Sequence, residues 1–75
     1  MKLICKLGHL GEFIVEPKVT DPLSVLIDLL DLKDKNTKFI FNGRTYTVSS
    51  NQTFKEIGLT RDQILFFSNQ AISGK

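Results

Sequence analysis

Lys38-Phe39-Ile40-Phe41-Asn42-Gly43-Arg44-Thr45-Tyr46-Thr47-Val48 reads as a strand, a two-residue turn and a second strand, and the rest of the chain arranges itself around it. Asn-Gly between β-prone runs suits a type I′ turn, because both central residues take positive φ and these two do so at least cost. Period-two alternation sends Phe39 and Phe41 to one face and Lys38 and Ile40 to the other. The two phenylalanines are therefore expected in the core and Ile40 on the outer face. An isoleucine exposed beside a lysine is a first sign that the outer face binds something.

Upstream, Lys2-Leu3-Ile4-Cys5-Lys6-Leu7 alternates as well, with Leu3, Cys5 and Leu7 inward and Lys2, Ile4 and Lys6 outward. Gly8-His9-Leu10-Gly11 supplies a turn, and Glu12-Phe13-Ile14-Val15-Glu16 resumes the pattern with Phe13 and Val15 inward. Two strands joined by a short glycine-containing link predict an antiparallel hairpin. Thr20-Asp21-Pro22 then reads as a helix start, with Asp21 as the cap and Pro22 in the first helical position, where its missing donor is not needed. The helix is predicted over about 22–32. Leu23, Leu26, Ile27 and Leu30 form its apolar stripe, widened by Val25 and Leu29, to lie across the inner face of the sheet. The polar run Lys33-Asp34-Lys35-Asn36-Thr37 ends it.

Downstream, Ser49-Ser50-Asn51-Gln52 is loop by composition. Thr53-Phe54-Lys55-Glu56 matches a capping box, in which threonine and glutamate satisfy each other's backbone donors, so a short helical turn is predicted over about 54–58 and ends at Gly58. Leu59 anchors it and Thr60-Arg61-Asp62-Gln63 turns the chain again. Ile64-Leu65-Phe66-Phe67-Ser68 is the last strand, with Leu65 and Phe67 inward and Ile64, Phe66 and Ser68 outward. Residues 70–75 read as a C-terminal tail after a domain spanning 1–69. The order strand, strand, helix, strand, strand, helical turn, strand predicts an α+β domain: a mixed sheet packed on one main helix.

Composition narrows the classes of function. A chain of 75 residues makes one domain and buries only about 60% of its unfolded surface, so its core must be economical. The single cysteine, Cys5, cannot form an internal disulfide, and this suits a reducing compartment. Zinc sites built on paired cysteines are excluded. No apolar run approaches the roughly 20 residues of a membrane span and no signal-peptide h-region opens the chain. The expectation is a soluble intracellular protein of the cytoplasm or nucleus, without a membrane partner. The formal net charge of +2 comes from scattered lysines rather than a basic block, which argues against nucleic acid as a partner.

The order of elements, the length and the local motifs together resemble ubiquitin and its relatives of the β-grasp fold. The likeness covers essentially the whole chain. It is carried by Met1, Lys6, Glu16, Asp21 and Leu30 in the opening, by Lys38-Phe39-Ile40-Phe41-Asn42-Gly43, and by Thr53-Phe54 with Ile57 and Leu59. The resemblance implies a β-grasp roll with the first and last strands side by side at the centre of the sheet. It also implies a recognition patch at Gly8, Ile40, Phe66 and Ser68, so half of the family's apolar patch is kept or enlarged and half is lost. Arg44 and Arg61 match the lysines on which ubiquitin chains are most often built, and a guanidinium cannot form the isopeptide bond. The family's modifiers end in Gly-Gly, whereas this chain reads Ser73-Gly74-Lys75. Conjugation is then a reading in which Lys75 is removed and Gly74 becomes the conjugation terminus. The sulfur carriers of the same fold need a terminal glycine thiocarboxylate and meet the same obstacle at Lys75.

No residue constellation reads as an active site, and no metal or other cofactor is implied. His9 sits in a turn and Cys5 faces the core, where a thiol is an inert apolar filler. Asp28, Asp31 and Asp34 fall at i, i+3 and i+6, a solvated polar face beside Lys33 and Lys35. The informative surface is the outer sheet face. With the strands ordered as the resemblance implies, Ile14, Ile4, Ile64, Phe66 and Ile40 lie across it, and a contiguous group of large apolar side chains marks an interface. The expectation is a non-enzymatic module that binds other proteins there, in a larger complex or by weak self-association.

Overall fold

The computed structural model describes residues 1–68. Its strands are β1 (Leu3–Lys6), β2 (Glu12–Val15), β3 (Lys38–Phe41), β4 (Arg44–Thr47) and β5 (Gln63–Ser68), with one α-helix, α1 (Val25–Leu29), and a 3₁₀ turn at Gly8–Leu10. They form one mixed sheet in the order β2-β1-β5-β3-β4. β1 and β5 run parallel at the centre; the other neighbours are antiparallel. The sequence-based expectation of a mixed sheet with first and last strands adjacent is met.

Local chemistry explains most elements. Asn42 and Gly43 take φ of 54° and 78°, as the two-residue turn demands, and set Phe41 opposite Arg44 and Phe39 opposite Tyr46. The Thr53 N–H donates to Glu56 Oε1 at 2.8 Å, and the Glu56 N–H donates to Thr53 Oγ1 at 3.1 Å, so the capping box closes in both directions. Residues 54–58 form the predicted short turn, with the Ile57 N–H on Thr53 O at 3.3 Å. The Leu59 N–H returns to Phe54 O at 2.9 Å after Gly58 at φ 84°, which stops the turn before helical bonds can propagate.

The main helix is shorter than the predicted 22–32. At its start, the Asp21 carboxylate accepts the Lys18 N–H at 2.9 Å and does not cap the helix. Leu23 N–H is taken instead by Gln52 O at 2.8 Å, Phe54 N–H by Asp21 O at 3.2 Å and Lys55 N–H by Val19 O at 2.9 Å. A tertiary zipper between residues 19–23 and 52–55 thus supplies partners that a local cap would have supplied. Val25, Leu26 and Ile27 donate three residues back, so the first turn is wound tightly. At the other end the Leu32 N–H reaches Ile27 O at 2.9 Å and the Asp31 N–H reaches Asp28 O at 3.3 Å, with Asp31 at φ 51°. That is a Schellman ending with aspartate where glycine is usual.

The inner face of the sheet carries the core. Leu3, Cys5, Leu23, Leu26, Phe39, Val48, Phe54, Leu59 and Leu65 are essentially without solvent contact, and Leu7, Val15 and Phe67 are buried beside them. The Phe39 ring lies 5.7 Å from Tyr46 and 5.4 Å from Phe67, centroid to centroid, within the range of favourable aromatic pairs. Three inward expectations need correction. Phe41 is half-buried, Leu29 is exposed, and Phe13 points inward by strand parity yet stays 45% exposed. Phe13 stays open because α1 ends before it covers that margin of the sheet.

Candidate functional site, the outer face of the sheet

Strand register assembles the outer face. Ile4 on β1 stands between Ile14 on β2 and Ile64 on β5, so these three isoleucines form a row across the strands. Phe66, two residues beyond Ile64 on the same strand, stands between Lys6 on β1 and Ile40 on β3. The five side chains named from the sequence are therefore contiguous. Ile14, Phe66, Ile40 and Ile64 are 62%, 55%, 48% and 42% exposed, and Ile4 is half-buried between its neighbours. None of the five belongs to the core, which closes on the other side of the sheet.

Sequence reading put Lys6 on this face by strand parity but missed its contact with Phe66. Its Nζ lies 5.7 Å from the centroid of the Phe66 ring and 3.3 Å from Glu12 Oε2, so the cation spans from the edge strand to the aromatic anchor. The stem of such a lysine adds apolar area while its head stays hydrated. The signal was out of reach because Lys6 and Phe66 are distant in sequence and meet only through the parallel β1–β5 pairing. Of the remaining positions carried over from the family resemblance, Gly8 lies in the exposed 3₁₀ turn and Ser68 is half-buried at the end of β5. Neither extends the apolar group. Gly74 and the tail 70–75 lie outside the described residues.

A second apolar concavity, absent from the sequence reading, opens on the inner side. It is a groove of about 330 Å³ lined by Leu7, Leu10, Phe13, Leu30, Leu32 and Phe67, with Asp31, Lys33 and Asp34 at its rim. The short helix leaves it open. Elsewhere the chemistry is quiet. Cys5 is fully buried and desolvation pushes its thiol up to about 11, so thiolate is scarce near neutrality. His9 is exposed in the 3₁₀ turn. Among the described residues, no three histidine, cysteine, aspartate or glutamate side chains converge in a group able to hold a metal ion, and no helix is long and apolar enough to cross a membrane.

Neither a family model nor a curated protein sequence matches the chain. Among solved structures it is similar to the ubiquitin-like domain of an Arabidopsis thaliana protein, determined in solution by NMR. The match has 18% sequence identity and a TM-score of 0.74 and covers 91% of this chain and 74% of that one. Identity at that level speaks to architecture alone. The element order, the central parallel pair and this likeness agree: the chain has the ubiquitin-like β-grasp fold.

Proposed function

We propose that the protein is a non-enzymatic interaction module of ubiquitin-like fold that holds partner proteins, as part of a larger complex, on the outer face of its sheet. One observation carries the reading: Ile14, Ile4, Ile64, Phe66 and Ile40 form one contiguous apolar group on a face that the core does not use. Ile40 and Phe66 are the anchors and the other three extend the contact. Large apolar side chains desolvated at the centre of a patch supply most of the energy of an interface. At about 25 cal/mol per Å², burying ~300 Å² of such surface yields several kcal/mol before the costs of association are subtracted.

The test separates binding from folding. Ile40→Glu and Phe66→Glu place a carboxylate at the centre of the face, and at position 66 the nearby Lys6 ammonium can accommodate it. Affinity capture from the cells that make the protein is expected to lose its specific partners with either variant, while the thermal midpoint moves by no more than a few degrees. Unfolding of both variants would show that these side chains serve stability instead. Light scattering over micromolar to millimolar concentration reads the share of self-association in the same surface.

A further inference from the structure

The apolar groove begins where the described chain stops. Leu7, Leu10, Phe13, Leu30, Leu32 and Phe67 line it, and Ser68, the last described residue, stands at its wall. Its volume of about 330 Å³ is at the small end of the ~300–1,000 Å³ typical of ligand sites, room for one or two aliphatic side chains and not for a helix ~10 Å across. Leu10 and Phe13 are left 56% and 45% exposed around that space.

The sequence after Ser68 is Asn69-Gln70-Ala71-Ile72-Ser73-Gly74-Lys75. Strand parity continued from Leu65 and Phe67 would turn Asn69 and Ala71 inward, one polar and one small, so a straight extension of β5 does not fill the groove. Ile72 is the one large apolar side chain of the segment. It follows Ser68 by four residues, a reach of up to about 13–14 Å, so a reversal at Asn69-Gln70 brings it from the wall into the groove. The rim carries two acids and one base. Asp31 lies 3.8 Å from Lys33, and Asp34 is fixed in place, its Oδ1 accepting the Asn36 N–H at 2.8 Å and its carbonyl accepting the Thr37 hydroxyl at 2.6 Å. Lys75, three residues past Ile72, supplies the missing cation.

We propose that the segment after Ser68 folds back and seats Ile72 in this groove of its own chain, with Lys75 over the Asp31 and Asp34 rim. Tethering favours the chain's own segment over a second copy: a short linker gives an effective concentration on the order of millimolar, above that of a second copy in micromolar solution. The apolar side chain carries the contact and Lys75 sets its direction, because an exposed ion pair is worth little. The seat shares no residue with Ile4, Ile14, Ile40, Ile64 and Phe66, so it stands or falls apart from the binding proposed for the outer face. Docking covers the groove against other occupants and withholds Gly74 from any enzyme that needs an extended tail.

The experiment uses the full chain at micromolar concentration, labelled for NMR in its isoleucine and leucine methyl groups and its aromatic rings. Nuclear Overhauser contacts are expected from the Ile72 methyls to Phe13, Leu30 and Leu32. The docked population, read from the Leu10 and Leu30 methyl shifts, should fall at least tenfold in Ile72→Asp, persist in Ile72→Leu and fall about twofold in Lys75→Glu. Signals of Ile40 and Phe66 should stay where they are in all three variants. Three results would overturn the inference. They are Ile72 without contacts to the groove, Ile72 in contact with Ile40 or Phe66 instead, and contacts between differently labelled molecules in a mixed sample, which mark a second copy as the occupant.

Discussion

The two ends of α1 are closed by different means, and only one of them is sealed. At its N-terminal end the 19–23 and 52–55 segments bond to each other, and Leu23, Phe54 and Leu59 are 0%, 0% and 1% exposed beneath them. At its C-terminal end the Schellman ending turns the chain away after Leu30, and Leu10 and Phe13, which line the groove, remain 56% and 45% exposed. Both ends draw on the same kind of apolar sequence. A hydrophobic stripe is buried only as far as backbone hydrogen bonds carry an element over it.

The same truncation at both ends gives the largest expected contrast. Phe54→Ala, at a fully buried site, is expected to destabilise the protein by about 3–5 kcal/mol. Phe13→Ala, at a side chain already half in water, should cost about 1–2 kcal/mol, in proportion to its smaller burial. Urea midpoints of the two variants measure both. Equal losses would erase the distinction between a sealed and an open end.

Cys5 tests how far water enters from the open side. It lies opposite Phe13 and two residues from Leu7, both of which line the groove, yet has no solvent contact. Burial raises its thiol from 9.0 to about 11. Between those values the unfolded chain releases the proton and the folded one keeps it, so stability falls as pH rises through that window. The shift corresponds to about 2–3 kcal/mol when fully developed. Chemical denaturation of the wild type and of Cys5→Ala between pH 8 and 11 isolates this part, since the two proteins differ only at the thiol. A wild-type slope no steeper than the variant's would mean that the groove admits water to the thiol.

The smallest effect concerns the turn that leaves the groove open. Asp31 occupies a left-handed conformation at φ 51°, which glycine adopts without steric penalty. Asp31→Gly is expected to stabilise by about 0.5–1 kcal/mol; the ion pair it removes, at 3.8 Å between side chains 90% and 89% exposed, contributes little against this. A raised thermal midpoint with an unchanged groove would show that the chain reversal is tolerated rather than strained for a purpose.

What was legible in the sequence was local. Asn42-Gly43 named its own turn, the Thr53 and Glu56 pair its own cap, and strand parity put Ile4, Ile14, Ile40, Ile64 and Phe66 on one face. What was not legible depended on partners distant in the chain. Asp21 has the chemistry of a cap, yet the Gln52 carbonyl takes over at Leu23 and leaves the carboxylate to Lys18. Phe13 has inward parity, but whether anything covers it depends on the length of a helix twelve residues away. Lys6 has outward parity of its own, but it meets Phe66 only because a strand distant in sequence lies beside it.

The central position of β5 also sets a timetable for the ribosome. While residues 1–62 emerge, β1–β2 and β3–β4 are two hairpins without a common sheet, and an isolated hairpin is at best marginally stable in water. Only when Gln63–Ser68 clears the exit tunnel does one strand join both, with the Lys2 N–H on Asp62 Oδ1 at 2.8 Å tying the approach to β1 to the approach to β5. At roughly 5–20 residues per second the nascent chain spends seconds with β1 and β3 as open edges. Folding is therefore expected to be all-or-none once β5 has emerged, and a translation pause before Gln63 would hold the chain in the state that a holdase chaperone recognises.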